Sequence, residues 1–310
     1  MAIKIALLNN GVINYGYSAA VIGVGEAGRI ALRNLNLPRY DEENCSFFRT
    51  IYLNDDHFIR NPELNTDMDD YEGVELPSTR EKDDPLDPCK SSNWLFVVGD
   101  MNESDAMDTT LKCARAHAEH HDENSFSICV TYKACEPLSP SLAELFDLII
   151  YTDDKADLLR RPVELILSDM TGGLIPLIDF SDTENILKAC KVMYFENEYY
   201  TDHSDENLEK IIQQMESKIH FSTTNGECIH ALVSAKSGDD RFSCQRASIM
   251  AVNMIWKQNG VAICQAKSFT KEKASSLSVL YGFGHSDEVS LFQAMNRWSA
   301  EIPEGQVLEL

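Results

Sequence analysis

The feature that most constrains the fold of this chain lies at Ala19 to Leu35, AAVIGVGEAGRIALRNL. An apolar run enters Gly23, Gly25 and Gly28, and a helical pattern follows at once. A strand that turns on glycines into a helix lets backbone N–H groups approach an anion at the helix N-terminus. Gly23, Gly25 and Gly28 are therefore candidate phosphate-binding positions. A second apolar run, Asn93 to Val98, ends at Gly99, another candidate. The next six residues are Asp100-Met101-Asn102-Glu103-Ser104-Asp105, three of them acids.

Strand and helix patterns alternate through the first half of the chain. Strands are expected at Thr50 to Leu53, Phe126 to Thr131 and Leu148 to Tyr151, and helices at about Asp105 to His121, Ser141 to Phe146 and Lys155 to Met170, the last with Pro162 as a place for a kink. Such alternation predicts parallel strands joined by crossover helices, with ligands held beyond the carboxyl ends of the strands. Those ends are Gly23, Asn54, Gly99 and Thr152, so the glycine turn, Asn54-Asp55-Asp56 and the acidic run should converge. Asn61 to Lys90, rich in acids and bearing Pro77, Pro85 and Pro88, reads as a loop with at most a short helix.

Beyond Gly172-Gly173 the pattern changes. Helices are expected at Thr183 to Cys190, Asn207 to Lys218, Arg241 to Gln258 and Asp287 to Trp298. Strands are expected at Glu227 to Ala235, Val261 to Ala266 and Leu277 to Phe283. The fold class is α/β: a Rossmann-like parallel-sheet domain over 1–171, a linking helix, and a smaller α+β domain over 172–310.

A net charge of −23 opposes nucleic acid and anionic membranes as principal partners. The nine cysteines include no C-x-x-C pair and read as reduced and mostly buried. The N-terminal apolar run is too short for a signal peptide, and no run approaches the ~18 residues of a membrane span. The expected location is cytoplasmic. His117, His120 and His121 share a helical face, but a solvated helix end accounts for them better than a metal does, and no metal site is assigned.

The chain resembles the FtsZ/tubulin superfamily from about Val21 to about Gly284. Val21-Ile-Gly-Val-Gly25 is similar to the first nucleotide loop of FtsZ, and Tyr52-Leu-Asn-Asp-Asp56 to the strand end reading V-N-T-D. Asp147-Leu-Ile-Ile-Tyr-Thr-Asp-Asp-Lys155 resembles the strand that approaches the guanine base. Leu174-Ile-Pro-Leu-Ile-Asp-Phe-Ser-Asp182 resembles the interdomain loop, and Tyr281-Gly-Phe-Gly284 the closing strand. The resemblance implies GTP or GDP as ligand, with Asn54, Asp56 and Asp154 beside the glycines in its site. It implies head-to-tail assembly with itself or a related tubulin-like protein. It also implies Asp179 and Asp182 as the acids that polarise water for a neighbouring subunit.

The departures from that family concern phosphate. The G-G-G-T-G-[ST]-G signature is absent at Gly99 to Asp105, the G-A-G-A-N-P loop is not recognisable in Asn61 to Lys90, and the guanine-contacting segment after Lys155 is short. Two carboxylate–phosphate repulsions at ~5 Å cost on the order of several kcal/mol, against about 8 kcal/mol for micromolar affinity. Arg29 or a divalent cation such as magnesium is the compensation left open. Weak or lost hydrolysis follows. Alternatives stay open: a nucleotide-free scaffold or regulator of a related filament, and a dinucleotide-binding oxidoreductase using Gly23-x-Gly25-x-x-Gly28 with Asp55. For Asp179 and Asp182, catalysis competes with a plainer role, N-capping by Ser181 or Asp182 of the helix starting near Thr183.

Overall fold

The computed structural model describes residues 5–7, 13–15, 18–35, 47–54, 57–59, 86–120, 125–170, 180–219, 227–237, 241–257, 260–268 and 275–285. They fall into two units, Met1–Glu184 with Val192–Glu196, and Asn185–Lys191 with Asn197–Leu310.

In the first unit, β1 (Ile5–Leu7) and β2 (Ile13–Tyr15) form a small antiparallel pair. The main sheet holds β3 (Ser18–Val24), β4 (Phe47–Asn54), β5 (His57–Ile59), β6 (Trp94–Val98), β7 (Phe126–Tyr132), β8 (Leu148–Thr152) and the start of β9 (Cys190–Tyr200). Their order is β9-β8-β7-β6-β3-β4-β5, all parallel except β5, which runs antiparallel to β4. Every residue of β6 and β8 is buried. Their unbroken apolar runs are what a strand covered on both faces requires.

The covering helices are α1 (Gly25–Arg33), the short α2 (Asp87–Ser91), α3 (Ser104–Ala118), α4 (Pro140–Ala143) and α5 (Ala156–Met170). On one face Ala20, Ile22, Val24, Leu95 and Val97 pack with Cys113 and Ala114 of α3. Toward the other, α1 and α5 pack together, and α5 continues through Pro162. α6 (Phe180–Lys188) precedes β9. Of the acidic stretch 61–90, the described part includes only the short helix α2; Gly172, Gly173 and the segment expected to be a helix at 287–298 lie outside the described residues.

The second unit orders its strands β11-β10-β12-β9, with β10 (Glu227–Ser237), β11 (Val261–Ser268) and β12 (Ser275–His285). β10 pairs parallel to β11 through the crossover helix α8 (Arg241–Lys257) and antiparallel to β12. This is the mixed α+β pattern expected. α7 (Asp205–Lys218) starts at the cap Ser204, whose hydroxyl accepts the Asn207 N–H at 3.4 Å. Gly284 is a packing position, since a Cβ there would lie 2.3 Å from the Ala189 carbonyl oxygen. His230 is buried beside Cys228, with Cys228 Sγ 3.3 Å from His230 Nε2.

Strand β9 was not expected from the sequence. Its centre reads Phe195-Glu196-Asn197-Glu198, which masks its alternation.

Candidate site at the strand-order reversal

The strand order reverses between β3 and β6: β4 follows β3 on one side, and β6 begins on the other. In open α/β sheets such a switch point leaves a crevice at the carboxyl ends of the strands, where ligands bind. Here it is lined by the glycine turn after β3 and the acidic loop after β6. The carboxyl ends of β4, β7 and β8 share that edge, and they bring Asn54, Tyr132 and Asp154 to it.

The glycines divide by role. Gly25 has φ +64, the left-handed region that a side chain strains. A Cβ on it would also lie 2.4 Å from Glu103 Oε2. Gly28 brings α1 against the sheet, since a Cβ there would sit 2.3 Å from the Val98 carbonyl oxygen. Gly99 lets β6 pass the end of β3, with Val24 O at 2.5 Å from its would-be Cβ, and its N–H donates to Val130 O at 3.1 Å. Gly23 faces Leu32 of α1.

The three acids of the loop go to different places. Asp100 turns onto its own loop: its Oδ1 accepts the Asn102 N–H at 3.0 Å and the Cys135 thiol at 3.2 Å. Met101 points inward, 5% exposed, and its N–H donates to Thr131 Oγ1 at 3.2 Å. The Glu103 N–H donates to Asp100 O at 3.2 Å, closing the turn, and the Glu103 carboxylate lies against Gly25. Asp105 accepts the Ser104 hydroxyl at 3.2 Å. Of the three, Glu103 is the one placed on the glycine turn.

Electrostatically the crevice is negative. Burial first, then the charges of Asp100, Asp154 and Glu103, push the Tyr132 phenol up to about 12. Burial and then Asp100 also raise the Cys135 thiol, which remains a hydrogen-bond donor. Arg29 Nε donates to Glu26 Oε2 at 2.7 Å, and that pair holds the Glu26 carboxyl below the usual carboxylate range. At the far side of Tyr132, Lys133 bridges Asp153 at 3.0 Å and the buried Glu196 at 2.5 Å. Tyr132, Lys133, Thr131 and Cys135 were not singled out from sequence; their only signal is the place just beyond the apolar run of β7.

Asp55, Asp56 and Asp179 lie outside the described residues. Asp182 lies within the first turn of α6, which begins at Phe180 rather than near Thr183, so neither Ser181 nor Asp182 is its cap. His117 is buried, with Nδ1 2.8 Å from Cys89 O, and His120 Nδ1 lies 3.1 Å from Ala116 O, while His121 is outside the described residues. Among the described residues no group of three or more His, Cys, Asp or Glu could hold a metal ion, and no helix is long and apolar enough to cross a membrane.

No protein-family model matches the sequence, and no curated protein matches it. Solved structures do match the fold. An FtsZ of M. jannaschii aligns with a TM-score of 0.61 at 12% identity, over 87% of this chain and 92% of that one. An empty FtsZ dimer from the same organism gives 0.55 at 11% identity, over 88% and 89%. CetZ1 from Haloferax volcanii, a GDP-bound monomer, gives 0.50 at 12% identity, over 92% and 100%. A mixed, largely parallel sheet with this coverage defines an α/β fold of the tubulin type. The chain has the FtsZ/tubulin fold.

Replacing Gly25 with aspartate is expected to abolish any anion binding at the crevice and to cost ~1–3 kcal/mol of stability. The new side chain would be held at positive φ and driven into the Glu103 carboxylate. Calorimetric titration beside thermal unfolding checks both parts. Unchanged binding in a folded variant would place the ligand elsewhere.

Proposed function

We propose that this protein is an FtsZ/tubulin-like filament protein or filament-associated protein whose switch-point crevice takes guanine nucleotide, GTP or GDP, with weak or lost hydrolysis. In this reading 1–171 is the nucleotide-binding part and 172–310 the smaller C-terminal part. The chain is cytoplasmic, and its partner is itself, head to tail, or a related tubulin-like protein. Gly23, Gly25, Gly28, Gly99, Asn54, Asp56 and Asp154 line the nucleotide, and Asp179 and Asp182 serve the neighbouring subunit's site.

The observation that carries the reading is the contrast at the strand-order reversal. The glycine turn after β3 keeps the left-handed Gly25, while the loop after β6 is a closed acidic turn with no glycine after Gly99. A site that meets phosphate through carboxylates stabilises the developing charge of phosphoryl transfer poorly. The fold likeness to FtsZ and to a GDP-bound CetZ1 supports the choice of nucleotide. The placement of Glu103 on Gly25 and of Arg29 on Glu26 supports the second reading, a scaffold that holds no nucleotide.

The experiment is phosphate release and sedimentation across a protein concentration series, with magnesium and with chelator, after identification of nucleotide extracted from the purified protein. Assembly that depends on the divalent cation is expected, because acids face acids across a head-to-tail junction. Phosphate release should stay near background at every concentration. Turnover climbing steeply with concentration would overturn the weak-hydrolysis reading. Absence of any nucleotide, bound or binding, would leave the scaffold.

A further inference from the structure

We propose that Cys228 and His230 form a thiol–imidazole dyad, and that the Cys228 sulfur is a site of covalent modification by small soft electrophiles. The inference concerns the second unit and is independent of the nucleotide reading.

The dyad follows from strand geometry. Cys228 and His230 stand two apart in β10, so both side chains leave the same face of the sheet. Antiparallel pairing sets Cys228 against Gly284 and His230 against Gly282 of β12. Neither neighbour has a side chain, and the imidazole lies down over that strand: a Cβ on Gly284 would lie 3.0 Å from His230 Cδ2. The ring nitrogen bonded to Cδ2 is Nε2, and it meets Cys228 Sγ at 3.3 Å. His230 is 4% exposed, so packing holds its ring in that pose. Cys228 is partly open to solvent, whereas Cys89, Cys113, Cys129, Cys135, Cys190 and Cys244 are buried.

Sulfur attacks as the thiolate, and a base in contact with the thiol can generate it at the moment of reaction. Burial pushes the Cys228 thiol up, so at neutral pH the proton rests on sulfur and must leave as the new bond forms. Nε2 receives it when the imidazole carries its own proton on Nδ1. In the reaction the sulfur bonds to the electrophilic carbon, and the leaving group departs with the bonding pair. The thiol proton passes to Nε2, and the resulting imidazolium returns it to water. Cys190 gives the contrast within the same unit. It is 3% exposed, and burial, then the nearness of Cys228, push its thiol up to about 12.

The test follows carbamidomethylation of the full-length protein by iodoacetamide, read peptide by peptide in a mass spectrometer, from about pH 6 to pH 10. Cys228 is expected to react roughly tenfold or more faster than Cys190, and its rate to level off near neutral pH, where an imidazole is already the free base. A rate at Cys228 no higher than at Cys190 overturns the proposal. So does a rate that climbs about tenfold per pH unit as far as pH 9, as ionisation of a thiol without a base gives. His230→Gln keeps a polar group beside the sulfur but no base, and should slow labelling of Cys228 at about pH 7.5 by roughly 10- to 100-fold. An unchanged rate in the folded variant also overturns the proposal. Circular dichroism reports folding, and the pH profile of the unaltered protein decides the matter where the variant unfolds.

Discussion

Gly28→Ala is expected to destabilise the protein by ~2–3 kcal/mol and to lower its Tm by roughly 5–10 °C, with or without any ligand. The added Cβ would lie 2.3 Å from Val98 O, 2.9 Å from Gly23 C and 3.0 Å from Gly23 Cα. All three are backbone atoms, so no side chain can swing aside, and α1 must lift from the sheet. The measurement is thermal or urea unfolding of ligand-free protein. An unchanged Tm would mean that Gly28 is not a packing position and would return it to the phosphate approach alone. Gly23→Ala is the comparison. Its tightest contacts include the far end of Leu32, which has somewhere to go, so the loss should be smaller.

Lys133→Met is expected to cost ~3 kcal/mol, because it removes a charge-assisted bond to the buried carboxylate of Glu196. That carboxylate is 3% exposed, and Lys133 Nζ donates to it at 2.5 Å. Adding Glu196→Gln to the lysine change should recover part of the loss, since the buried charge is then gone. Urea unfolding of the two single variants and the double variant measures this coupling. No loss in Lys133→Met would show that Glu196 is solvated by other means.

The pH dependence has a definite sign. Burial alone would pull the Lys133 ammonium down, but its bonds to Glu196 and Asp153 outweigh this and the net shift is upward. A raised lysine contributes stability that is complete below its unfolded value, near 10.4, and is lost as pH rises through the folded value. The Tyr132 phenol, pushed up to about 12, acts in the same direction. Stability attributable to this corner should hold through neutral pH and fall from about pH 10 upward.

The parts of this fold that were legible in the sequence are those whose signal is local. β6 and β8 are continuous apolar runs, α3 and α7 are periodic, and the glycine turn stands between a run and a helix. β9 was not legible, because Glu196 is buried by a lysine 63 residues away in the chain. Strands of three residues, such as β1, β2 and β5, carry too little pattern to register. Strand order is absent from a linear reading altogether, so the reversal between β3 and β6 emerged only from the pairing. At the site, the density of acid after Gly99 was plain. That Asp100 folds back onto Asn102 and Cys135 while Glu103 crosses to Gly25 depends on a turn whose closing bonds no spacing rule encodes.

Met101 anchors the acidic loop from beneath. Its side chain fills space beneath the turn, packed in the core with Ala106 and Cys135, and takes the Thr110 hydroxyl on its sulfur at 3.3 Å. A glycine-rich cradle has nothing to put there. Exchanging this loop for one would first open a cavity worth ~2–5 kcal/mol, a large share of what a domain has to lose. Any gain in phosphate affinity would come only after that loss. Single substitutions toward a glycine cradle thus pass through a poorly folded intermediate, and the packing of one methionine works as a ratchet on what this crevice can become.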